Sequence, residues 1–357
     1  VSIPTEPIGS IPRPRQLIDA MAGHAAGSVS DQELAGLQDE ALRDTIRRFE
    51  ETGSPVITDG EQTKSSFATY PLEGLAGLAP DGVVIPFADG HTRQLPRLTG
   101  GPFRYGKHAA AYTTQALGHA SRPVKQAVIA ASVISLLYPQ DGIEGYPRER
   151  FLSDLVDEAE ADIRGALQAG AHSVQIDFTE ARLALKLDPS KGLLRQFLDL
   201  NNQVLARFSE QELGRIGVHT CPGGDQDSTH SADVDYAELL PELFGLEVGS
   251  VYMMLAGEPD RERVLQVVGQ VVRPGQRVFV GVTDPIDPRV ETREEVRDRV
   301  LEAARVLGPD QLGSCDDCGF SPFGDDVSTS RDTAFAKIRA RVEGTALAAD
   351  ALGLPRG

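Results

Sequence analysis

Short runs rich in Val and Ile recur along the chain, each followed by a stretch with helical signals, and this alternation limits the folds available. Eight such runs are read from the sequence: Glu6 to Ser10, Pro55 to Glu61, Val124 to Ala130, Ser173 to Asp177, Arg215 to Cys221, Ser250 to Leu255, Arg277 to Val282 and Gln311 to Cys315. Helices are predicted from Ser30, where Ser30-Asp31-Gln32-Glu33 reads as a capping box, to about Thr52, and over 148–169, 193–212, 235–244, 259–272, 292–307 and 330–352. Eight strands alternating with helices predict an α/β fold, a parallel (β/α)8 TIM barrel. A doubly wound open sheet is the alternative, but Gly9 alone does not make the glycine-rich phosphate turn expected after its first strand. The 357 residues are read as one barrel domain, 1–357, since barrels of this kind reach that length as single units.

One region breaks the alternation. Between about residues 64 and 122, Gly82 to Phe87 and Thr92 to Leu95 flank Asp89-Gly90, a β-hairpin signal. It is read as an insertion near the catalytic mouth, serving as a lid or as plain decoration.

Composition excludes several roles. A net charge of −18 opposes nucleic acid, whose phosphates need a basic face. No run of about 18 apolar residues exists to span a membrane. The start, Val1 to Pro7, lacks the basic residues and apolar run of an export signal, and three cysteines make no disulfide framework. A reducing, cytoplasmic setting is therefore expected.

Barrel active sites gather at the C-terminal ends of the strands. In chain order those ends carry Ser10, Asp59, Glu61, Asp177, Glu180, His219, Cys221, Asp284 and Cys318. In His219-Thr220-Cys221 the first and third side chains share one face of a strand, so imidazole and thiol converge. Zinc takes such N and S ligands, and a third from Cys318 would leave a position open for substrate. Cys315-Asp316-Asp317-Cys318 also permits a redox pair, or a ligand with Cys315 as a mere neighbour. His230 is read as a solvated loop histidine, with a reserve ligand or proton donor as the alternative. The remaining five histidines, His24, His91, His108, His119 and His172, are assigned no role.

These residues together resemble the catalytic half of cobalamin-independent methionine synthase and its single-barrel relatives, from Ile8 to about Phe323. The landmarks are Ile8-Gly9-Ser10-Ile11-Pro12-Arg13-Pro14, Asp59-Gly60-Glu61, Gln175-Ile176-Asp177, His219-Thr220-Cys221 and Asp317-Cys318-Gly319. The resemblance implies zinc (Zn2+) on His219, Cys221 and Cys318, with a thiol such as homocysteine activated for methylation by a folate-type donor. It also implies that Ser10, Glu61 and Asp177 hold the amino-acid end of the thiol. Two departures stand out. Leu255 occupies the place of the family's zinc-binding glutamate, with Glu258 three residues on as a possible fourth ligand. Where the family carries a histidine thought to protonate the leaving group, this chain has Ile286, with Asp284 and Asp287 as the candidate acid–base groups.

The partners expected are a small-molecule thiol and an alkyl donor. One barrel's length also raises the expectation of another methyl source or a methyl-carrier protein. Two alternatives remain from the sequence: an epoxide-opening thiol transferase resembling epoxyalkane:coenzyme M transferase, and a zinc- or thiol-binding barrel without turnover.

Overall fold

The structure, a computed structural model, describes residues 2–356. A hairpin of β1 (Val84–Pro86) and β2 (Thr92–Gln94) precedes the barrel strands β3 (Lys125–Ile129), β4 (Ser173–Asp177), β5 (Ile216–Thr220), β6 (Ser250–Met253), β7 (Arg277–Thr283) and β8 (Leu312–Asp316). These last six form one sheet in the order β8-β7-β6-β5-β4-β3, every pairing parallel. They are buried on both faces apart from a few partly exposed first residues, as uninterrupted Val/Ile runs require when helices cover the outside.

The first two predicted strands form as single bridges. Thr5, one residue before the first of them, pairs with Ser314 of β8, and Ile57 pairs with Val124 just before β3, both parallel. The ring closes between them through Ile11 N to Gly60 O at 3.0 Å and Thr58 Oγ1 to Gly9 O at 2.9 Å. Prolines at positions 4, 7, 12 and 14 remove donors from the first segment, and the second ends in the left-handed Gly60 and Glu61, so neither sustains a ladder. The molecule is a (β/α)8 barrel with two irregular staves.

Besides a 3-10 turn at Tyr70–Leu72, twelve α-helices form among the described residues: α1 (Arg15–Ala25), α2 (Asp31–Glu51), α3 (Ala109–Leu117), α4 (Ala131–Ser135), α5 (Arg148–Gln168), α6 (Ala181–Leu187), α7 (Gly192–Leu205), α8 (Glu210–Leu213), α9 (Tyr236–Leu243), α10 (Arg261–Val271), α11 (Arg293–Ala304) and α12 (Arg331–Ala351). Ser30 caps α2 by accepting from Glu33 N, and Thr292 with Glu295 forms a full capping box at α11. The helix predicted over 193–212 is two, because Ser209 starts α8 with its own capping box to Glu212. No helix is long and apolar enough to cross a membrane among the described residues.

Inside the barrel Ile8, Tyr252, Phe279 and Cys315 pack together, with the Tyr252 and Phe279 rings stacked at 4.5 Å. Glycines give these rings room: a Cβ at Gly217 would come within 2.6 Å of Tyr252, and one at Gly313 within 2.5 Å of Phe279. The predicted hairpin forms antiparallel, Ile85 opposite Arg93, around a Phe87–His91 turn with Gly90 at φ 94°. Arg93 holds it over the mouth, bonding Asp225 of the loop after β5 and Asp325 of the loop after β8.

Candidate functional site

The β4–β5 register sets Asp177 directly opposite His219, so the last residues of these strands reach the mouth at one level. Cys221 follows β5, and Cys318 lies just beyond β8. The ligand atoms of His219, Cys221 and Cys318 all lie within 4.8 Å of one another, and the two sulfurs are 3.2 Å apart. His219 Nδ1 lies 3.2 Å from the carbonyl of Tyr252, which can only accept, so this nitrogen carries the proton. Its Nε2 therefore presents a lone pair, and that atom is buried without a partner. Gly223 N donates to Cys221 Sγ at 3.4 Å. The adjacent Cys221 sulfur, and then burial, push the Cys318 thiol well above the usual range. A metal cation suits such a cluster: it would satisfy Nε2 and favour both thiolates.

Beside the cluster runs a cavity of about 560 Å³, lined by Gly9, Ser10, Glu61, Asp177, His219 and Cys318 among others. Glu61 reaches it from a strained turn, with Gly60 at φ 63° and Glu61 itself at φ 57°. A side chain on Gly60 would come within 2.5 Å of Thr45. Burial pushes the Glu61 carboxyl up to about 7, with Lys64 opposing and Asp177 and Asp59 adding to the rise. Burial raises Asp177 too, against His219, Gln175 and Lys64. Gln175 Nε2 steadies Asp177 Oδ1 at 2.7 Å, while Lys64 Nζ sits 3.6 Å from Glu61 and donates to Ala127 O. Lys64 is the cation nearest this carboxylate pair, and the sequence reading missed it, since only the fold brings it there. Ser10 Oγ accepts from Ser321 N at 3.1 Å, with Gly319 so close that a Cβ would lie 2.1 Å from that oxygen.

Other residues singled out from sequence are placed elsewhere. Asp284 and Asp287 do not line the cavity: Asp284 Oδ1 caps Ile286 N, and Asp287 Oδ1 caps Arg289 N at the surface. Glu258 is bound at 2.8 Å by the buried Arg182, whose guanidinium would otherwise lack a counter-charge, and Leu255 is buried. Cys315 lies inside the barrel, donating to Phe279 O, and burial pushes its thiol up. His230 is not solvated. It lies buried in the cavity wall against Phe87, and burial lowers its ring to about 4. Because Ser231 Oγ donates to Pro222 O, the hydroxyl accepts from His230 Nδ1, leaving Nε2 as a lone pair above Gly223. His91 is likewise engaged, between Asp89 and Asp225. Asp317, a sequence landmark given no role of its own, accepts from the amides of Leu255, Ala256 and Gly257 at 2.7–2.8 Å and holds the loop after β6.

Fold and cavity together define a (β/α)8 barrel with an imidazole–dithiol cluster at its mouth that could hold a metal ion. The chain belongs to the family described as cobalamin-independent synthase, catalytic domain, whose model matches residues 3–331. It is similar to the methionine synthase of Sulfurisphaera tokodaii, 23% identical over 98% of this chain and 94% of that protein. The uncharacterized protein YxjH of Bacillus subtilis is 24% identical over 93% and 91%. Among solved structures, a B12-independent methionine synthase from Shewanella sp. W3-18-1 in complex with selenomethionine aligns over 99% of both chains, with a TM-score of 0.75 at 18% identity. That likeness establishes the fold.

Proposed function

We propose that this protein is a zinc-dependent S-methyltransferase that methylates homocysteine or a closely similar amino-acid thiol. The observation that carries the reading is that the His219, Cys221 and Cys318 cluster and the Glu61–Asp177 carboxylate pair open onto one cavity. Zinc, when bound there, supplies Lewis acidity that lowers a thiol's pKa into the neutral range. Glu61 and Asp177 receive the α-ammonium group, a cation that completes a pocket where two carboxyls face one lysine. Ser10 and the backbone at Gly9 border the same end. The apolar remainder of the wall, including Phe87, Leu95, Val133 and Leu136, excludes water from the reacting sulfur. The same carboxylates disfavour a sulfonate-bearing thiol, which would require cations. No nucleic acid or membrane enters this reading.

The test is a screen of thiols and alkyl donors read by mass spectrometry, with wild type beside Asp177→Asn. Methionine formed from homocysteine is the expected product, and Asp177→Asn is expected to raise the homocysteine KM at least about 30-fold, as loss of a buried charged partner costs about 2 kcal/mol or more. A thioether from an epoxide instead would replace methyl transfer with ring opening, and an unchanged KM would remove Asp177 from the binding role.

A further inference from the structure

The two thiols of the cluster stand on different loops. Cys221 opens the loop after β5 and Cys318 lies in the loop after β8, and each loop carries an aspartate further along, Asp225 and Asp325. Arg93 of the hairpin joins these aspartates. Its Nε and Nη2 donate to the two oxygens of Asp225 at 2.5 and 3.1 Å, and its Nη1 and Nη2 to the two of Asp325 at 3.0 and 2.8 Å. Two forks on one planar guanidinium fix distance and angle as well as charge, which a lysine in the same place could not do. The loops also meet directly, Gln226 N donating to Asp326 Oδ2, but at 3.3 Å. The two forks differ in weight. The Asp225 side chain is fully buried while that of Asp325 is 61% exposed, so water screens the second fork far more than the first. The rest of the hairpin tip docks on the Cys221 loop: Ala88 N donates to Thr229 O at 2.9 Å, Asp89 N donates to Ser228 Oγ at 3.3 Å, and Phe87 packs against His230. Ile85, Phe87 and Leu95 line the cavity, so the docked tip is also part of its roof. The foot of the hairpin is fixed elsewhere, with Leu98 buried and its amide donating to Leu137 O at 2.8 Å. An ion pair and a few hydrogen bonds hold the tip, and water can satisfy all of these groups, so the tip can lift while the foot stays in place.

We infer that Arg93 is a positioning residue for the metal cluster: it holds the Cys221 and Cys318 loops at the spacing one ion needs, so that docking of the hairpin and binding of the metal strengthen each other. With the tip lifted, Arg93 leaves both aspartates and the two thiol loops lose their bridge. With an ion on both thiols, the loops are already set and the tip closes on a finished surface. Such coupling is reciprocal, so the factor by which the docked tip raises metal affinity is the factor by which the metal suppresses opening of the tip. The guanidinium is engaged by the two aspartates, and Arg93 acts through them rather than on a reacting atom. The inference rests on the metal binding of the proposed function and is independent of which thiol or alkyl donor is used.

The experiment uses the full chain with and without zinc and reads two quantities that need no turnover. These are zinc affinity, by competition with a chelator, and deuterium exchange of the hairpin amides, above all Ala88, whose acceptor lies on the Cys221 loop. Zinc is expected to slow exchange at the wild-type tip about tenfold, and Arg93→Gln to weaken zinc binding about tenfold and abolish that slowing. Arg93→Lys, which keeps the charge but not the two forks, is expected to recover only part of the affinity, and Asp325→Asn, which weakens the exposed fork alone, to lose less than Arg93→Gln. Arg97→Gln is the control for a merely loosened hairpin, since that guanidinium donates to Asp81 at 3.1 Å at the hairpin's foot, and it is expected to leave zinc affinity unchanged. Exchange in the barrel strands, read from the same data, checks that each variant is folded. Wild-type zinc affinity in folded Arg93→Gln, tip exchange that zinc does not alter, or equal weakening by Arg97→Gln would each overturn the inference while leaving the metal site standing. No zinc bound by wild type would overturn the metal reading, and the coupling with it.

Discussion

At the floor of the barrel Glu6 accepts from the Tyr252 hydroxyl at 2.7 Å and faces Lys125 Nζ at 3.5 Å, while that ammonium rests 3.9 Å from the centre of the Tyr252 ring. Against α12, Arg341 pairs in the same way with the buried Asp316, the last residue of β8, Nε donating at 3.1 Å, and it donates from Nη1 to Thr5 Oγ1. At the mouth, a few residues further along the same strands, Glu61 Oε2, Glu180 Oε2 and His219 Nε2 have no partner. Glu6 and Asp316 each have a cation of their own, whereas at the mouth Glu61 and Asp177 share Lys64 and no cation faces Glu180. Burying a charge without a counter-charge costs free energy, and these pairs balance theirs locally even though Lys125 Nζ, Asp316 Oδ2 and Arg341 Nη2 make no hydrogen bond. Under the proposed function, the pairing at the mouth falls to groups from outside: a metal ion and the ammonium group of the thiol substrate.

The sharpest way to break this contrast is to remove a thiol on each side of it. Cys221→Ser or Cys318→Ser is expected to lower bound zinc from about one ion per chain to near zero by metal analysis, because a set of only three protein ligands loses one thiolate. Cys315→Ser, whose thiol bonds Phe279 O within the barrel, is expected to keep the ion. Zinc lost with Cys315→Ser but kept with Cys318→Ser would reverse the assignment of mouth and floor.

The floor is probed by Lys125→Met, which leaves Glu6 with only the Tyr252 hydroxyl. Breaking one side of a buried ion pair costs about 3–5 kcal/mol, read as a shift in the denaturation midpoint, and Glu6→Gln in the same chain should restore much of it. Zinc content and homocysteine affinity of the folded variant should stay near wild type. A variant of normal stability with impaired thiol binding would show that floor and mouth are one site.

Sequence patterning anticipated this division unevenly. Runs such as Val278-Phe279-Val280 and Ile216-Gly217-Val218 read as strands because a parallel sheet covered by helices buries them entirely. Period two also placed His219 and Cys221 on one side of β5. The two irregular staves were legible as segments but not as bridges, since proline and left-handed residues act on hydrogen bonding rather than on hydrophobicity. Helices α1, α3, α4 and α6 were not anticipated; two of them have seven residues or fewer, too short for a clear helical period. Long-range pairing was not visible at all. Glu258 reads as a ligand until Arg182, 76 positions away in sequence, is seen to take it. His230 reads as a loop residue until Phe87 of the hairpin covers it. Lys64 gives no local signal of its place beside Glu61.

A smaller effect separates the two regions through pH. Burial holds the Glu61 carboxyl at about 7, above its ordinary 4.5, with Lys64 and Arg13 favouring the charged form and Asp177 and Asp59 opposing it. Between those values the folded chain binds more protons at this group than the unfolded chain. The stability that the neutral form contributes is therefore full below about 4.5 and is lost as pH rises through 7. Denaturation at pH 5 to 8 is expected to give wild type a downward slope of at most about 1.4 kcal/mol per pH unit from this group, one that Glu61→Gln lacks. Homocysteine carries the opposite demand, since its ammonium favours the charged carboxylate. Its binding to the zinc-free protein, where no metal takes the thiol's own proton, should release a proton near pH 6, detectable by calorimetry in buffers of different ionisation enthalpy, and its affinity should strengthen as pH approaches 7. If Glu61→Gln released the same proton on binding, the group titrating with the ligand would be elsewhere, and the open charge of the mouth would not be centred on Glu61.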